Sequence, residues 1–176
     1  MTRTLVLGGI RSGKSAVAER LVAGGAVTYV ATGPRHDDAD WAERIAAHQL
    51  RRPATWRTVE SIDLPAVLAE LTGPAIVDCL GTWLTAHLDA LAVWDAPRAA
   101  WEPSISDLVG ALADAVAHHR HDLVLVSNEV GLTLVPEHRS GRLFADWLGL
   151  TNQAVAAACD AVQLVVAGQV LPVKSP

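Results

Sequence analysis

The stretch at residues 8–15 constrains the fold of this chain more than any other, because it matches the pattern G-x-x-x-x-G-K-[ST]. A short apolar run at residues 4–7 precedes it and predicts a buried strand. The residues from Ser15 onward are rich in helix formers. A strand, a glycine-rich loop and a helix in this order form the setting in which the pattern binds nucleotide phosphates. We therefore predict a phosphate-binding loop, here called the P-loop, over residues 8–15.

The residue types in this loop suit phosphate binding. Glycine lets backbone N–H groups approach phosphate oxygens without a Cβ in the way, and the positive end of the following helix faces the same phosphates. Lys14 is predicted to contact the β- and γ-phosphates, and the Ser15 hydroxyl is predicted to ligate Mg²⁺. The predicted nucleotide-binding residues of the loop are Gly8, Gly9, Ile10, Arg11, Ser12, Gly13, Lys14 and Ser15.

Length and charge limit the class of protein. The chain has 176 residues, which suits one domain, and we predict a single nucleotide-binding domain over residues 1–176. A net charge of −5 argues against a broad nucleic-acid surface, and no apolar run is long enough for a membrane span. Cys79 and Cys159 stand in apolar surroundings, so we expect reduced core residues in a cytoplasmic protein.

The rest of the chain alternates predicted helices and strands. The helices are predicted at residues 37–50, 64–71, 82–93, 104–118 and 140–159, and the strands at 26–31, 56–59, 75–78, 122–126, 161–167 and 170–174. This alternation predicts an α/β fold of the P-loop NTPase (RecA-like) class. We expect a mostly parallel sheet with helices on both faces and an antiparallel C-terminal edge.

A turn follows the predicted strand at residues 26–31. It consists of Thr32, Gly33 and Pro34, and ligands of open α/β sheets collect outside the carboxyl ends of strands. These residues are therefore candidates for nucleotide contact, with an ordinary turn as the alternative.

Two acids follow buried strands and could hold Mg²⁺. Asp78 ends an apolar strand, and P-loop enzymes place an acid at this position, usually bound to the metal through water. A strand-terminal aspartate that caps a turn is the alternative. Glu129 follows the strand predicted at residues 122–126 and competes with Asp78 for the role.

Two further polar groups leave alternatives open. His48 is followed closely by Arg51 and Arg52, and a histidine beside arginines could handle phosphate, whereas composition alone favours a solvated helix end. Asn152 and Gln153 fall near the middle of a predicted helix, where amides are usually exposed, although they could face substrate or a neighbouring subunit.

Several blocks, taken in order along nearly the whole chain, resemble one enzyme family. They are GGIRSGKS at 8–15, YVATG at 29–33, R-I-x-x-H ending at His48, Arg52-Pro53, WRTVE at 56–60, VSNEVG at 126–131, VPE at 135–137 and Asn152-Gln153. Together they are similar to the bifunctional adenosylcobinamide kinase / adenosylcobinamide-phosphate guanylyltransferase family of cobalamin biosynthesis.

The resemblance implies two reactions. ATP or GTP phosphorylates adenosylcobinamide, and GTP then guanylylates an enzyme histidine that passes GMP to adenosylcobinamide phosphate, which gives adenosylcobinamide-GDP. By its position in the R-I-x-x-H block, that nucleophile is His48. Enteric members carry two adjacent histidines here, whereas Ala47 precedes His48, so this chain has one candidate.

The resemblance also implies further site residues and an assembly. Glu60 is implied as a guanosine contact, because a carboxylate accepts from N1–H and the 2-amino group of guanine. The positions that match nucleotide-site positions of the family are Gln49, Leu50, Arg51, Arg52, Glu60 and Asp78. A homo-oligomer, a trimer in the family, is expected. A plain P-loop kinase without a covalent histidine is the alternative, and a nucleotide-switch binding protein is a third interpretation.

Overall fold

One seven-stranded sheet organises the chain in the computed structural model, which describes residues 1–22, 24–33, 43 and 52–175. The helix predicted at 37–50 lies outside the described residues, apart from Glu43. The strands are β1 (Arg3–Gly8), β2 (Thr28–Ala31), β3 (Arg57–Glu60), β4 (Ala75–Asp78), β5 (Leu123–Asn128), β6 (Ala161–Val166) and β7 (Gln169–Lys174). The helices are α1 (Lys14–Leu21), α2 (Leu64–Glu70), α3 (Leu80–Ala90), α4 (Glu102–His118) and α5 (Arg139–Ala158), with a 3₁₀ turn at Arg98–Ala100.

The sheet is mostly parallel with an antiparallel C-terminal edge, as predicted. The strand order is β3-β2-β4-β5-β1-β6-β7, and every pair is parallel except β6 with β7, which form an antiparallel C-terminal edge. The strand before the P-loop, β1, lies inside the sheet between β5 and β6. Its last residue, Gly8, pairs with Asn128 on one side and Val165 on the other, so the P-loop begins at the carboxyl edge of the sheet.

Helices cover both faces of the sheet, as predicted. On one face α2, α3, α4 and α5 enclose a core that includes Leu5, Trp83 and Trp101. On the other face Val17 and Ala18 of α1 belong to a second core with residues of β1, β2, β4, β5 and β6. Because helices cover β5 on both faces, its first five residues are buried, and its sequence begins with a continuous apolar run.

Local sequence sets the helix boundaries. The Asp63 carboxylate accepts a hydrogen bond from the backbone N–H of Ala66 at 3.2 Å, which caps α2 at its N-terminus. Helices α3 and α4 begin two residues before the predicted positions, at Leu80 and Glu102. None of the described helices has the length and apolar content required to cross a membrane.

Candidate active site

The P-loop makes a tight turn between β1 and α1. The backbone at Gly13 has φ +95°, a left-handed conformation that glycine adopts with little strain, and α1 begins at the next residue. A Cβ on Gly8 would lie 2.7 Å from the carbonyl oxygen of Val165, so the start of the loop has no room for a side chain. Both glycines are therefore required by the backbone of the loop.

Neighbouring segments hold the loop in place. The N–H of Gly168, in the turn between β6 and β7, donates to the Ser12 carbonyl at 2.8 Å. The N–H of Glu129 donates to the Gly8 carbonyl at 3.1 Å. Lys14 is only 6% exposed, and its ammonium group donates to the Gly9 carbonyl at 3.2 Å. The cation therefore lies folded over the loop that is predicted to receive the phosphates.

Asp78 lies at the same sheet edge, where a tyrosine holds it. Tyr29 on β2 pairs in register with Ile76 on β4, so the phenol and the Asp78 carboxylate point to the α1 face of the sheet. The Tyr29 hydroxyl donates to Oδ2 of Asp78 at 2.7 Å. Burial, and after it the Asp78 charge, raise the pKa of Tyr29 well above its usual range, so the phenol remains a donor.

Tyr29 is the site residue that sequence reasoning missed. It is 2% exposed, and a buried tyrosine hydroxyl requires a hydrogen-bond partner. A tyrosine directly before the apolar residues Val30 and Ala31 of the strand was the available signal, although nothing in the sequence names its partner. Next to Asp78, burial and then the carboxylate raise the pKa of Cys79, which agrees with a reduced thiol.

Arg52 stacks on the ring of the same tyrosine, Tyr29. The guanidinium carbon lies 3.4 Å from the Tyr29 ring centroid, which is a cation–π contact. Its Nη1 donates to Oγ1 of Thr58 on β3 at 3.1 Å. The arginine is thus oriented by one contact to β2 and one to β3. Glu60 ends β3, and the ladder places it beside Ala31, which also pairs with Asp78.

The Thr32 side chain is committed to the protein interior. It is 1% exposed, donates to the Cys79 carbonyl at 2.6 Å and lies 2.8 Å from Oγ1 of Thr82. The hydroxyl therefore ties the end of β2 to the start of α3. Nucleotide contact at Thr32 and Gly33 stays a prediction, and such a contact at Thr32 would have to come from the backbone.

The alternative acid, Glu129, is occupied locally. Its carboxylate accepts from the N–H of Gly131 at 2.6 Å, so it caps the turn that follows β5. The expectation that Asn152 is exposed was wrong: it is 7% exposed, and its Nδ2 donates to the Asn128 carbonyl at 3.1 Å. Helix α5 covers the end of β5, and the amide satisfies a strand-end carbonyl there. Gln153 is exposed, as predicted.

The candidate nucleophile His48 lies outside the described residues, and so do Pro34, Gln49, Leu50 and Arg51. The described part of the predicted site comprises the P-loop, Thr32, Gly33, Arg52, Glu60 and Asp78. The P-loop follows β1 and Asp78 ends β4, so both lie at the carboxyl edge of the parallel strands, with β5 between them.

The carboxylate of Asp78 and the hydroxyl of Ser15 suit an Mg²⁺ ion whose other ligands are the phosphate oxygens of a nucleotide and water. Among the described residues, Oδ1 of Asp78 accepts no hydrogen bond, and Ser15 stands half-buried in the first turn of α1. No group of three or more His, Cys, Asp or Glu among the described residues could hold a metal ion. Mg²⁺ typically takes one or two protein oxygens together with phosphate oxygens and water. One carboxylate and one hydroxyl, completed by phosphate oxygens and water, therefore fit this ion.

Comparison with known proteins gives a consistent family match. A family model described as cobinamide kinase / cobinamide phosphate guanyltransferase matches residues 4–173. The bifunctional adenosylcobalamin biosynthesis protein CobP of Pseudomonas aeruginosa is 42% identical, over 98% of this chain and 97% of its own length. The corresponding protein CobU of Salmonella typhimurium is 41% identical, over 93% of this chain and 95% of its own length.

Solved structures support the fold. An ATPase from the type III secretion system of pathogenic bacteria matches with a TM-score of 0.54 at 12% identity, over 93% of this chain and 50% of that protein. A Pyrococcus horikoshii protein matches with a TM-score of 0.51 at 10% identity, over 99% of this chain and 86% of that protein. At such low identity the likeness concerns the fold alone.

Proposed function

This chain belongs to the cobinamide kinase / cobinamide phosphate guanyltransferase family, and on that premise we propose the substrates and residues through which it works. It is a bifunctional enzyme of cobalamin biosynthesis, a kinase and a guanylyltransferase. The substrates we propose are adenosylcobinamide and its phosphate, with ATP and GTP as nucleotides. The carrying observation is a complete P-loop, with Lys14 folded over it, in a chain that matches the family over residues 4–173.

The first reaction is phosphoryl transfer. The hydroxyl oxygen of the aminopropanol arm attacks the γ-phosphorus, the bond to the β-phosphate oxygen breaks, and the nucleoside diphosphate leaves while the hydroxyl proton passes to solvent. The P-loop N–H groups and the Lys14 ammonium bind the phosphates and balance the charge that develops on them. We propose that the Ser15 hydroxyl and the Asp78 carboxylate hold Mg²⁺ there, which would neutralise phosphate charge when bound.

The second reaction is nucleotidyl transfer in two steps, with His48 as the nucleophile. A neutral imidazole nitrogen attacks the α-phosphorus of GTP, an N–P bond forms, and pyrophosphate leaves as the imidazole loses its proton to solvent. A phosphate oxygen of adenosylcobinamide phosphate then attacks the same phosphorus, and the N–P bond breaks as the imidazole takes a proton back from solvent. The assignment of His48, with Gln49, Leu50, Arg51 and Arg52 beside it, is supported by the R-I-x-x-H block.

A covalent-labelling experiment tests the nucleophile. The protein is incubated with Mg²⁺ and GTP labelled at the α- or the γ-phosphate and is then denatured. We expect the α-label to remain on the protein in an acid-labile form and the γ-label to be lost. His48→Ala should abolish the retained label. His138→Ala is the matched control, because His138 is exposed and makes no side-chain capping bond at the start of α5.

The alternative is a plain P-loop kinase. Phosphorylation of cobinamide without any retained α-label would overturn the covalent mechanism and leave the kinase activity alone. A retained α-label in His48→Ala would move the nucleophile to another residue.

We also propose that the enzyme is a homo-oligomer, and a trimer is the assembly that the family resemblance implies. The β6–β7 hairpin supports a subunit contact, because Val166, Leu171 and Val173 are each more than half exposed on the antiparallel edge of the sheet. A cytoplasmic location is proposed because the enzyme would draw on ATP and GTP and carries two free thiols. The net charge of −5 supports the absence of a nucleic-acid partner.

A further inference from the structure

The contact between Tyr29 and Asp78 has no part in the reactions described above. The Tyr29 ring is buried on the α1 face of the sheet, and its hydroxyl donates to Oδ2 of Asp78 at 2.7 Å. The hydroxyl thus occupies one carboxylate oxygen, while Oδ1 accepts no hydrogen bond within the described part of the chain. A carboxylate held through one oxygen presents the other in a fixed direction.

The ring of the same tyrosine carries Arg52. The guanidinium lies 3.4 Å from the ring centroid, and its Nη1 is bonded to Thr58. Nε of Arg52 is buried and has no hydrogen-bond partner among the described residues. The ring stacked on the guanidinium and the hydrogen bond to Thr58 together orient this arginine. Arg52 follows His48 by four residues in the sequence.

We propose that Tyr29 is a positioning residue for both the proposed metal ligand and the proposed nucleotide contact, because its hydroxyl orients Asp78 and its ring orients Arg52. The inference rests on the proposed function, in which Asp78 helps to hold Mg²⁺ and Arg52 contacts nucleotide. Tyr29 touches neither nucleotide nor metal in this account. It acts on the metal through Asp78 and on the nucleotide through Arg52.

Calorimetric binding of guanosine 5′-(α,β-methylene)triphosphate tests the hydroxyl without depending on turnover. The α–β linkage of this analogue resists attack by a nucleophile. The affinity of the protein for the analogue is measured at increasing Mg²⁺ concentrations, and the concentration at half of the total change is the Mg²⁺ midpoint. Tyr29→Phe keeps the ring and removes the hydroxyl. Loss of an outer partner of a metal ligand typically weakens metal binding by 10- to 100-fold, so we expect the Mg²⁺ midpoint to rise about tenfold. The affinity in EDTA should stay unchanged.

Thr151→Val is the matched control. Thr151 is fully buried, and its hydroxyl donates to the Trp147 carbonyl within α5 at 2.7 Å. This variant should lower the melting temperature without moving the Mg²⁺ midpoint. A Tyr29→Phe variant with an unchanged midpoint, or with affinity lost equally in Mg²⁺ and EDTA, would show a merely structural tyrosine and overturn the inference.

Asp78→Asn separates failure of the inference from failure of the proposed metal site. If Asp78→Asn raises the Mg²⁺ midpoint and Tyr29→Phe does not, the metal site stands and the inference falls. If Asp78→Asn leaves the midpoint unchanged, the proposed metal site itself fails, and the inference fails with it. If Tyr29 acts through Asp78, then Tyr29→Phe adds nothing in the Asp78→Asn background.

Arg52→Lys tests the ring. Lysine keeps the charge but loses the planar group that stacks on the phenol. A partly exposed cation–π contact changes an equilibrium constant by a factor of about two to five. The affinity of Arg52→Lys for the analogue in EDTA should therefore fall by about that factor. The Mg²⁺ midpoint should not move. An Arg52→Lys variant that binds the analogue as tightly as wild type would overturn the role of the ring.

Discussion

At the scale of single residues, backbone carbonyls at the carboxyl edge of the sheet hold several polar side chains in place. Lys14 donates to the Gly9 carbonyl, Thr32 to the Cys79 carbonyl and Asn152 to the Asn128 carbonyl. Each bond joins a side chain to a strand end or to the loop that follows one. Lys14 is therefore already oriented at the P-loop before a nucleotide binds, which reduces the reorganisation that binding requires.

A pH prediction also belongs to this scale, and it concerns Asp160. Arg3 donates to its carboxylate from Nε at 3.0 Å and from Nη2 at 2.7 Å, and from its backbone N–H at 2.8 Å. The hydrogen bonds from the Arg3 side chain and backbone hold the pKa of Asp160 far below its usual range. A depressed native pKa gives stability that is present above the unfolded pKa of about 3.9 and is lost as pH falls below it.

We therefore expect Asp160→Asn to lower the free energy of unfolding by about 1 kcal/mol at pH 7, since the pair is partly exposed and solvent screens it. The difference from wild type should shrink between about pH 4 and pH 2. Urea unfolding across this range measures it. Glu102→Gln, at the more exposed Arg98–Glu102 pair, is the control, with an expected change below about 0.5 kcal/mol. A difference that stays constant with pH would contradict the assignment.

At the scale of elements, the junction between β1 and α1 decides whether a phosphate site exists. The chain must reverse within a few residues so that its N–H groups and the first turn of α1 face one point. Gly13 makes this reversal with φ +95°, and a Cβ there would lie 3.3 Å from Cα of Gly168. The turn between β6 and β7 thus limits the space beside the loop.

Gly13→Ala should lower the free energy of unfolding by about 1–3 kcal/mol, because alanine is strained in the left-handed region. It should also weaken binding of the α,β-methylene GTP analogue by at least about tenfold, because the loop has to shift. Thermal unfolding and calorimetry measure the two effects. Gly73→Ala is the control, since a Cβ there meets nothing within 4 Å. Equal behaviour of the two variants would contradict the requirement for glycine at position 13.

At the scale of the whole molecule, the two sheet edges differ. The β3 edge carries the polar residues Arg57, Thr58 and Glu60, whereas the β7 edge exposes Val170, Leu171 and Val173. A long exposed apolar edge strand favours association. The asymmetry therefore supports the β6–β7 hairpin, whose turn also contacts the P-loop, as the proposed subunit contact.

Substitution of this edge tests the assembly. Light scattering should find the wild type at a multiple of the 18.6 kDa chain mass. The double variant Leu171→Glu/Val173→Glu should shift toward the monomer, because two carboxylates would be buried at the contact. Ile62→Glu is the control, at an exposed apolar residue away from the hairpin. An unchanged mass in the double variant would place the contact elsewhere.

The features that the sequence alone predicted depend on residues close to one another along the chain. The P-loop, the alternation of strands and helices, the antiparallel end and the acid at position 78 depend on adjacent residues, on short-range periodicity and on the resemblance along the chain. Helices α3 and α4 start two residues before the predicted positions, and neither start has a side-chain capping bond that a short sequence pattern would indicate.

Only the tertiary structure decided which polar groups meet. Tyr29 and Asp78 are 49 residues apart and touch because β2 and β4 are neighbours in the sheet. Asn152 is buried because α5 crosses the end of β5, where a strand-end carbonyl needs a donor. Such contacts follow from strand order and helix packing, which depend on the summed burial of the whole chain. No short stretch of sequence carries that information, whereas the phosphate loop is written in eight consecutive residues.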